Sequence, residues 1–228
     1  MTSENHALPV RITDCLKLCY QLRERGERIT TNAVREQLQA RNPTEPLSGS
    51  TVTHLFQWLN SRGYVHHTPY HGVELTPMGE KVAAELVRHH RLLELFLVRI
   101  MGFPLDQVDA EADQLEHAIS ETFEERMDEL LGYPTEDPLG DPIPSRMGTV
   151  RVPPSRLLSQ LEVGQQGTVQ RVTDDDPELL RYLATIGLVP GILVCVESIT
   201  SYGDVYTLLI GESRQMVGEA VVNHVMIR

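Results

Sequence analysis

The sequence predicts a mainly α-helical chain in three parts: a helical module closed by a β-hairpin, an acidic helical region, and a small C-terminal β-barrel. Three observations carry that prediction. Apolar residues recur at helical spacing through the first 131 positions, as in Val52, Leu55, Phe56 and Leu59 at i, i+3, i+4 and i+7. Acidic residues concentrate in the middle third. From residue 151 the pattern changes to short β-rich runs separated by glycines, namely VGQQGTVQRVT, GILVCVESIT, DVYTLLI and AVVNHVMIR. The boundaries follow as residues 1–75, 76–148 and 149–228.

Residues 8–25 read as a helix, with Ile12, Leu16, Cys19 and Leu22 near helical spacing and Gly26 as its stop. Residues 32–41 form a second, with Val34 and Leu38 four apart. RNPTEPLSGS is a loop by composition, and Ser50 is placed to cap a third helix, STVTHLFQWLNSR. YVHHTPYHGVELT reads as two short strands around a turn. Thr76-Pro77 then reads as N-cap and first helical residue of a long helix running from about 77 to 100. Phe103-Pro104 interrupts, and residues 106–131 form a last strong helix. The proline-rich segment 134–148 is a linker or extended strap, and DPELLRYLATIG is one short helix within the β-rich part.

Composition excludes several classes. The chain has 228 residues, 41% of them hydrophobic and 23% charged, as in ordinary globular proteins. It contains no run of about 18 apolar residues, so no membrane span is expected. MTSENHALPVR lacks the basic and apolar blocks of a secretion signal. Three cysteines, two of them one helical turn apart, suggest no disulfide framework and a reducing cytoplasm as the compartment. Cys15 and Cys19 read as half-buried core.

Net charge is −12, unevenly spread. Residues 1–75 hold 8 Lys+Arg against 7 Asp+Glu, residues 76–150 hold 6 against 16, and residues 151–228 hold 6 against 9. The N-terminal third is therefore the part that can approach a polyanion. Its order of helix, helix, capped helix and hairpin is that of a winged helix-turn-helix, whose recognition helix reads the major groove with its N-terminal side chains. Here those are Ser50, Thr51, Thr53, His54 and Gln57, off the apolar stripe, small or polar, and able to reach base edges and phosphates. Arg62 and the hairpin histidines His66, His67 and His71 can approach backbone phosphates. One weakly charged module binds DNA weakly, so two copies in a dimer are expected. A helical domain with a merely solvated polar face fits the same pattern.

The acidic third carries the sharper chemistry. Asp109, Asp113, Glu116 and His117 stand at i, i+4, i+7 and i+8. At about 100° per residue they share an arc of about 100°, while Leu115, Ile119 and Phe123 take another face. Three carboxylates around one histidine repel each other unless a cation bridges them. In the preceding helix His90 and Glu94 also share a face, at i and i+4, so two helices can offer donors to one space. Carboxylate and imidazole without sulfur favour Mn²⁺ or Fe²⁺. His89 points off that face and reads as a surface residue. The alternative is an acidic, solvated helix.

STVTHLFQWLNSRGYV, LTPMGEKVA, HHRLLELFLVRIMGF, VDAEADQLEHAIS and PLGDPIP, in this order, resemble the diphtheria toxin repressor family of metal-dependent regulators. YLATIGLVPGILVCVESI is similar to that family's SH3-like C-terminal domain, also seen in ferrous-transport accessory proteins. The resemblance implies a winged-helix domain, a helical metal-binding and dimerisation domain with contacts in residues 86–100, and an SH3-like barrel. It implies a main site of Asp14, Asp113, Glu116 and His117, and a neighbouring site of His90 and Glu94. Asp109 falls where iron sensors have histidine, and Asp176 and Glu178 fall near an ancillary ligand position. Iron-type members place methionine and cysteine at Asp14 and Asp113, so oxygen donors here point to Mn²⁺, with Fe²⁺ as the alternative. Lys17, however, stands where short manganese sensors can have glutamate. The implied function is metal-activated binding of a homodimer to double-stranded operator DNA, the ion tying the first helix to the acidic domain. A metal-dependent hydrolase or a protein-binding or metal-buffering module would be the competing classes; no HExxH-type motif supports the hydrolase.

Overall fold

Helical periodicity in the first third becomes α1 (Val10–Glu24), α2 (Thr31–Arg41) and α3 (Gly49–Ser61), followed by the antiparallel pair β1 (Val65–Thr68) and β2 (Gly72–Leu75). The computed structural model describes residues 8–41, 46–69, 71–173, 176–200, 202 and 204–228, and part of the loop after α2 lies outside them. The chain forms two compact units, residues up to His89 with Pro144–Thr149, and His90–Ile143 with Val150–Arg228.

In the first unit α3 buries Val52, Phe56 and Leu59 completely, against a half-buried Leu55. Its cap is Ser48, not the expected Ser50. Ser48 has extended dihedrals (φ −86°, ψ 152°) and accepts from the Thr51 N–H at 3.2 Å, whereas Ser50 is already helical. The hairpin is tied to the chain before α2 by a Val73 N–H bond to the Ile29 carbonyl at 3.0 Å. As expected, Thr76 caps α4 (Pro77–Arg99): it accepts from the Gly79 N–H at 3.1 Å and donates to the Gly63 carbonyl at 2.6 Å. Gly79 is pressed onto β1's entry, where an added Cβ would lie 1.9 Å from the Tyr64 carbonyl oxygen. The two units divide within α4, between His89 and His90. His89 is 8% exposed, so it is a buried residue and not the expected surface one.

The second unit contains the rest of α4, α5 (Val108–Leu115) and α6 (Glu121–Leu130). The single helix expected over 106–131 is thus two. The Ala118 N–H turns back three residues to Leu115, and Ser120 caps a fresh start by accepting from the Phe123 N–H. Leu92, Leu93, Leu95, Val108, Ala112 and Met127 form the core of this helical part. An extended strap follows, and then β3 (Arg156–Leu157), a 3₁₀ turn, β4 (Gln166–Val172), α7 (Pro177–Ile186), β5 (Leu193–Ile199), β6 (Val205–Ile210), β7 (Ser213–Gly218), α8 (Glu219–Val222) and β8 (Val225–Ile227). Alternating buried residues such as Val194, Val196, Leu208 and Ile210 pack with Leu180 and Leu183 of α7 into a second core. The six strands run in the order β3-β8-β4-β5-β6-β7. The C-terminal part is sheet-rich as expected, and among the described residues no pairing joins β3 to β7, so the sheet is not closed into a barrel by them. Among them, too, no helix is long and apolar enough to cross a membrane.

Candidate metal centre

α4 carries His90 and Glu94 one turn apart, 4% and 5% exposed. α5 carries Asp109 and Asp113 with the same spacing. Glu116 caps its C-terminus with dihedrals that stay helical (φ −57°, ψ −27°), which extends the acidic face beyond the last α5 residue. His90 Nδ1 lies 2.7 Å from Glu116 Oε2 and 3.4 Å from Asp113 Oδ1. Its Nε2 lies 3.2 Å from Asp109 Oδ1 and 3.5 Å from Glu94 Oε1. His117 Nε2 is 3.5 Å from Glu116 Oε1.

Two sets of donor atoms, His90-Asp113-Glu116 and His90-Glu94-Asp109, each lie within 4.8 Å of one another. An imidazole supplies at most one positive charge against four carboxylates here, of which Glu94 and Glu116 are buried and Asp109 and Asp113 partly exposed, and like charges this close are costly unless a cation joins them. Five oxygen and nitrogen side chains without a thiolate or thioether fit a hard or borderline divalent ion.

Asp14 is half-buried on α1. Asp176 is the N-cap of α7, accepting from the Glu178 N–H at 2.7 Å, and Glu178 is exposed. Neither joins a donor grouping among the described residues. Sequence reading paired His90 with Glu94 and expected two helices to offer donors to one space; which carboxylates reach His90 depends on the distance between those helices, which periodicity does not report.

Buried charges around the site were also missed. Arg91, 5% exposed, donates to the Pro142 carbonyl at 2.7 Å and lies 3.7 Å from Asp137. Asp137 accepts from the Leu139 and Asp141 N–H groups at 2.8 and 2.9 Å. Burial, and then the charges of Glu94 and Asp141, push its pKa well above the usual carboxylate value, against the opposing pull of Arg91 and a backbone hydrogen bond. The paired Asp-Pro steps around Leu139-Gly140 were the available signal for this turn.

On α3, Ser50, His54 and Gln57 are exposed, as is Arg62 just beyond it, while Thr51 and Thr53 are half-buried. The Thr53 hydroxyl donates to the Gly49 carbonyl at 2.9 Å. His54 Nδ1 lies 3.3 Å from Gln57 Oε1, and the Arg62 guanidinium sits 5.1 Å over the Trp58 ring. His66 and His71 are exposed, whereas half-buried His67 packs against Phe56 with ring centroids 5.6 Å apart.

Residues 76–145 match the family described as "Iron dependent repressor, metal binding and dimerisation domain", and residues 156–228 match the FeoA domain. The chain is 31% identical over 195 residues to the iron-dependent repressor IdeR of Mycobacterium leprae, covering 80% of this chain and 82% of that protein. A solved structure titled "Manganese-dependent transcriptional repressor complex with manganese" superposes with a TM-score of 0.83 at 33% identity, covering 95% of this chain and 98% of that one. The crystal structure of T. acidophilum IdeR superposes with a TM-score of 0.73 at 25% identity, over 94% and 96% of the two chains.

Proposed function

The chain belongs to the diphtheria toxin repressor family of metal-dependent regulators, and from that premise we propose that it is a transcriptional repressor whose hold on operator DNA is switched on by Mn²⁺. The observation that carries the reading is the crowding of Glu94, Asp109, Asp113 and Glu116 around the single buried ring of His90. A bound divalent ion supplies positive charge that offsets their mutual repulsion. His90 and Glu94 hold the α4 side, and Asp109, Asp113 and Glu116 the α5 side, so loading favours one spacing of the two helices. Asp14 and His117 complete the proposed ligand set on the strength of the family resemblance.

The DNA-facing element is α3 with its hairpin, read as a winged helix-turn-helix. Ser50, Thr51, His54 and Gln57 would approach base edges, and Arg62 a phosphate, while Thr53 is turned to its own helix. The protein works as a homodimer on paired half-sites, and it acts as a regulator and not as an enzyme. The reading divides the chain into a DNA-binding part (1–75), a metal and dimerisation part (76–148) and a C-terminal SH3-like part (149–228).

Fe²⁺ is the second reading, supported by the iron-dependent relative. Operator-binding anisotropy at fixed salt with Mn²⁺, anaerobic Fe²⁺, Zn²⁺ or chelator tests both. Tight binding with Mn²⁺ and weak binding with chelator is expected. Equal affinity with and without metal would sink the proposal, and activation by Fe²⁺ alone would replace manganese with iron.

A further inference from the structure

The strap between α6 and β3 is gripped on two sides. Towards α4 it is held by Arg91, which bonds the Pro142 carbonyl and faces Asp137; the Arg91 and Asp137 side chains are 7% and 3% exposed. Asp137 in turn closes the strap into a turn through the Leu139 and Asp141 N–H groups. Towards the sheet, the Val172 N–H donates to the Leu139 carbonyl at 2.8 Å, Leu139 packs on the sheet core, and Asp141 pairs with Arg171 at 3.0 Å. Gly140 lies so close to β4 that an added Cβ would be 1.9 Å from the Gln170 carbonyl oxygen. A second link joins α7 to the loop before α5: Arg181 donates twice to Asp106 Oδ2, at 3.0 and 2.7 Å.

Arg91 directly follows His90, and Asp106 precedes Asp109 by three residues. The C-terminal sheet and α7 therefore hold the neighbours of donors on both α4 and α5, and among the described residues none of their side chains joins a donor grouping. We propose that Asp137, Asp141, Arg171 and Arg181 are positioning residues for the metal centre, through which the C-terminal sheet sets the affinity of the His90 cluster. The physical reason is twofold. Groups behind the ligands fix their spacing, and Asp137 faces Arg91, the residue next to His90, while closing the turn that accepts from Arg91. The proposal rests on the reading of this cluster as a metal site.

The test is a Mn²⁺ titration of the full chain, read from the electron paramagnetic resonance signal of the free ion at fixed pH and salt. Arg171→Ala/Arg181→Ala cuts both outer side-chain links, and Asp137→Asn keeps the acceptor of the turn but replaces the carboxyl that faces Arg91. Each is expected to weaken binding about tenfold, the scale of losses behind ligand shells, with partial recovery in Arg171→Lys/Arg181→Lys. A lowered melting temperature with unchanged isotherms would mean a structural role only and would overturn the proposal. Should Asp137→Asn fail to fold, the arginine pair decides alone. Wild-type chain that takes up no Mn²⁺ would overturn the metal-site reading, whereas wild-type uptake unaltered in the variants overturns this inference only.

Discussion

His90 is boxed between carboxylates at both ring nitrogens, so single side chains in this box should act on metal affinity before they act on folding. Asp113→Ala is expected to lower Mn²⁺ affinity by about tenfold or more, as loss of a direct or supporting ligand does. Calorimetric titration checks this, and an unaltered isotherm would remove Asp113 from the ligand set. Asp14→Met/Asp113→Cys swaps hard donors for soft ones and should move preference away from Mn²⁺ towards later metals. Operator binding across a metal series reads the shift, and an unchanged order of metals counts against it. Asp137 behaves differently. Its pKa is raised in the folded chain, first by burial, so the folded state holds that proton more tightly than the unfolded one. Its stabilising contribution is then present at low pH and lost as pH rises through the raised value. In chelator, the stability of Asp137→Asn relative to wild type should therefore climb with pH above the ordinary carboxylate range. Urea melts at several pH values would show it, and a constant gap would contradict it.

At the scale of elements, much was legible in the sequence. The stripe Val52, Phe56 and Leu59 marked α3, and Thr76-Pro77 marked the start of α4, because local side-chain and backbone chemistry decides both. The break between α5 and α6 was hidden because Glu116 keeps helical dihedrals, so the acidic arc continues past the end of the hydrogen-bonded helix. His89 was misjudged because α4 is covered on more sides than a two-faced helix would be. The candidate metal cluster was half legible: each helix face could be read, but not the approach of α5 to His90. The misplaced α3 cap yields a direct test. Ser48→Ala should cost about 1 kcal/mol, the usual loss of an N-cap, and Ser50→Ala much less. Denaturant melts that reverse this order would restore Ser50 as the cap.

For the whole molecule, the proposed binding to operator DNA sets a net charge of −12 against a polyanion, so on that reading the few cations near α3 bear unusual weight. If Arg62 reaches a phosphate, Arg62→Ala should reduce the slope of log affinity against log salt by about 1 without altering sequence preference. Operator titrations at several salt concentrations measure that slope. Beyond the DNA, the shared position of His90 bears on how many ions one chain can carry. A neutral imidazole has one lone pair for a metal, since its second nitrogen keeps a proton. The two donor groupings that both include His90 therefore compete for it. A chain filled with Mn²⁺ would then give the His90 ring to one ion only and leave any second ion to the remaining donors, His117 among them.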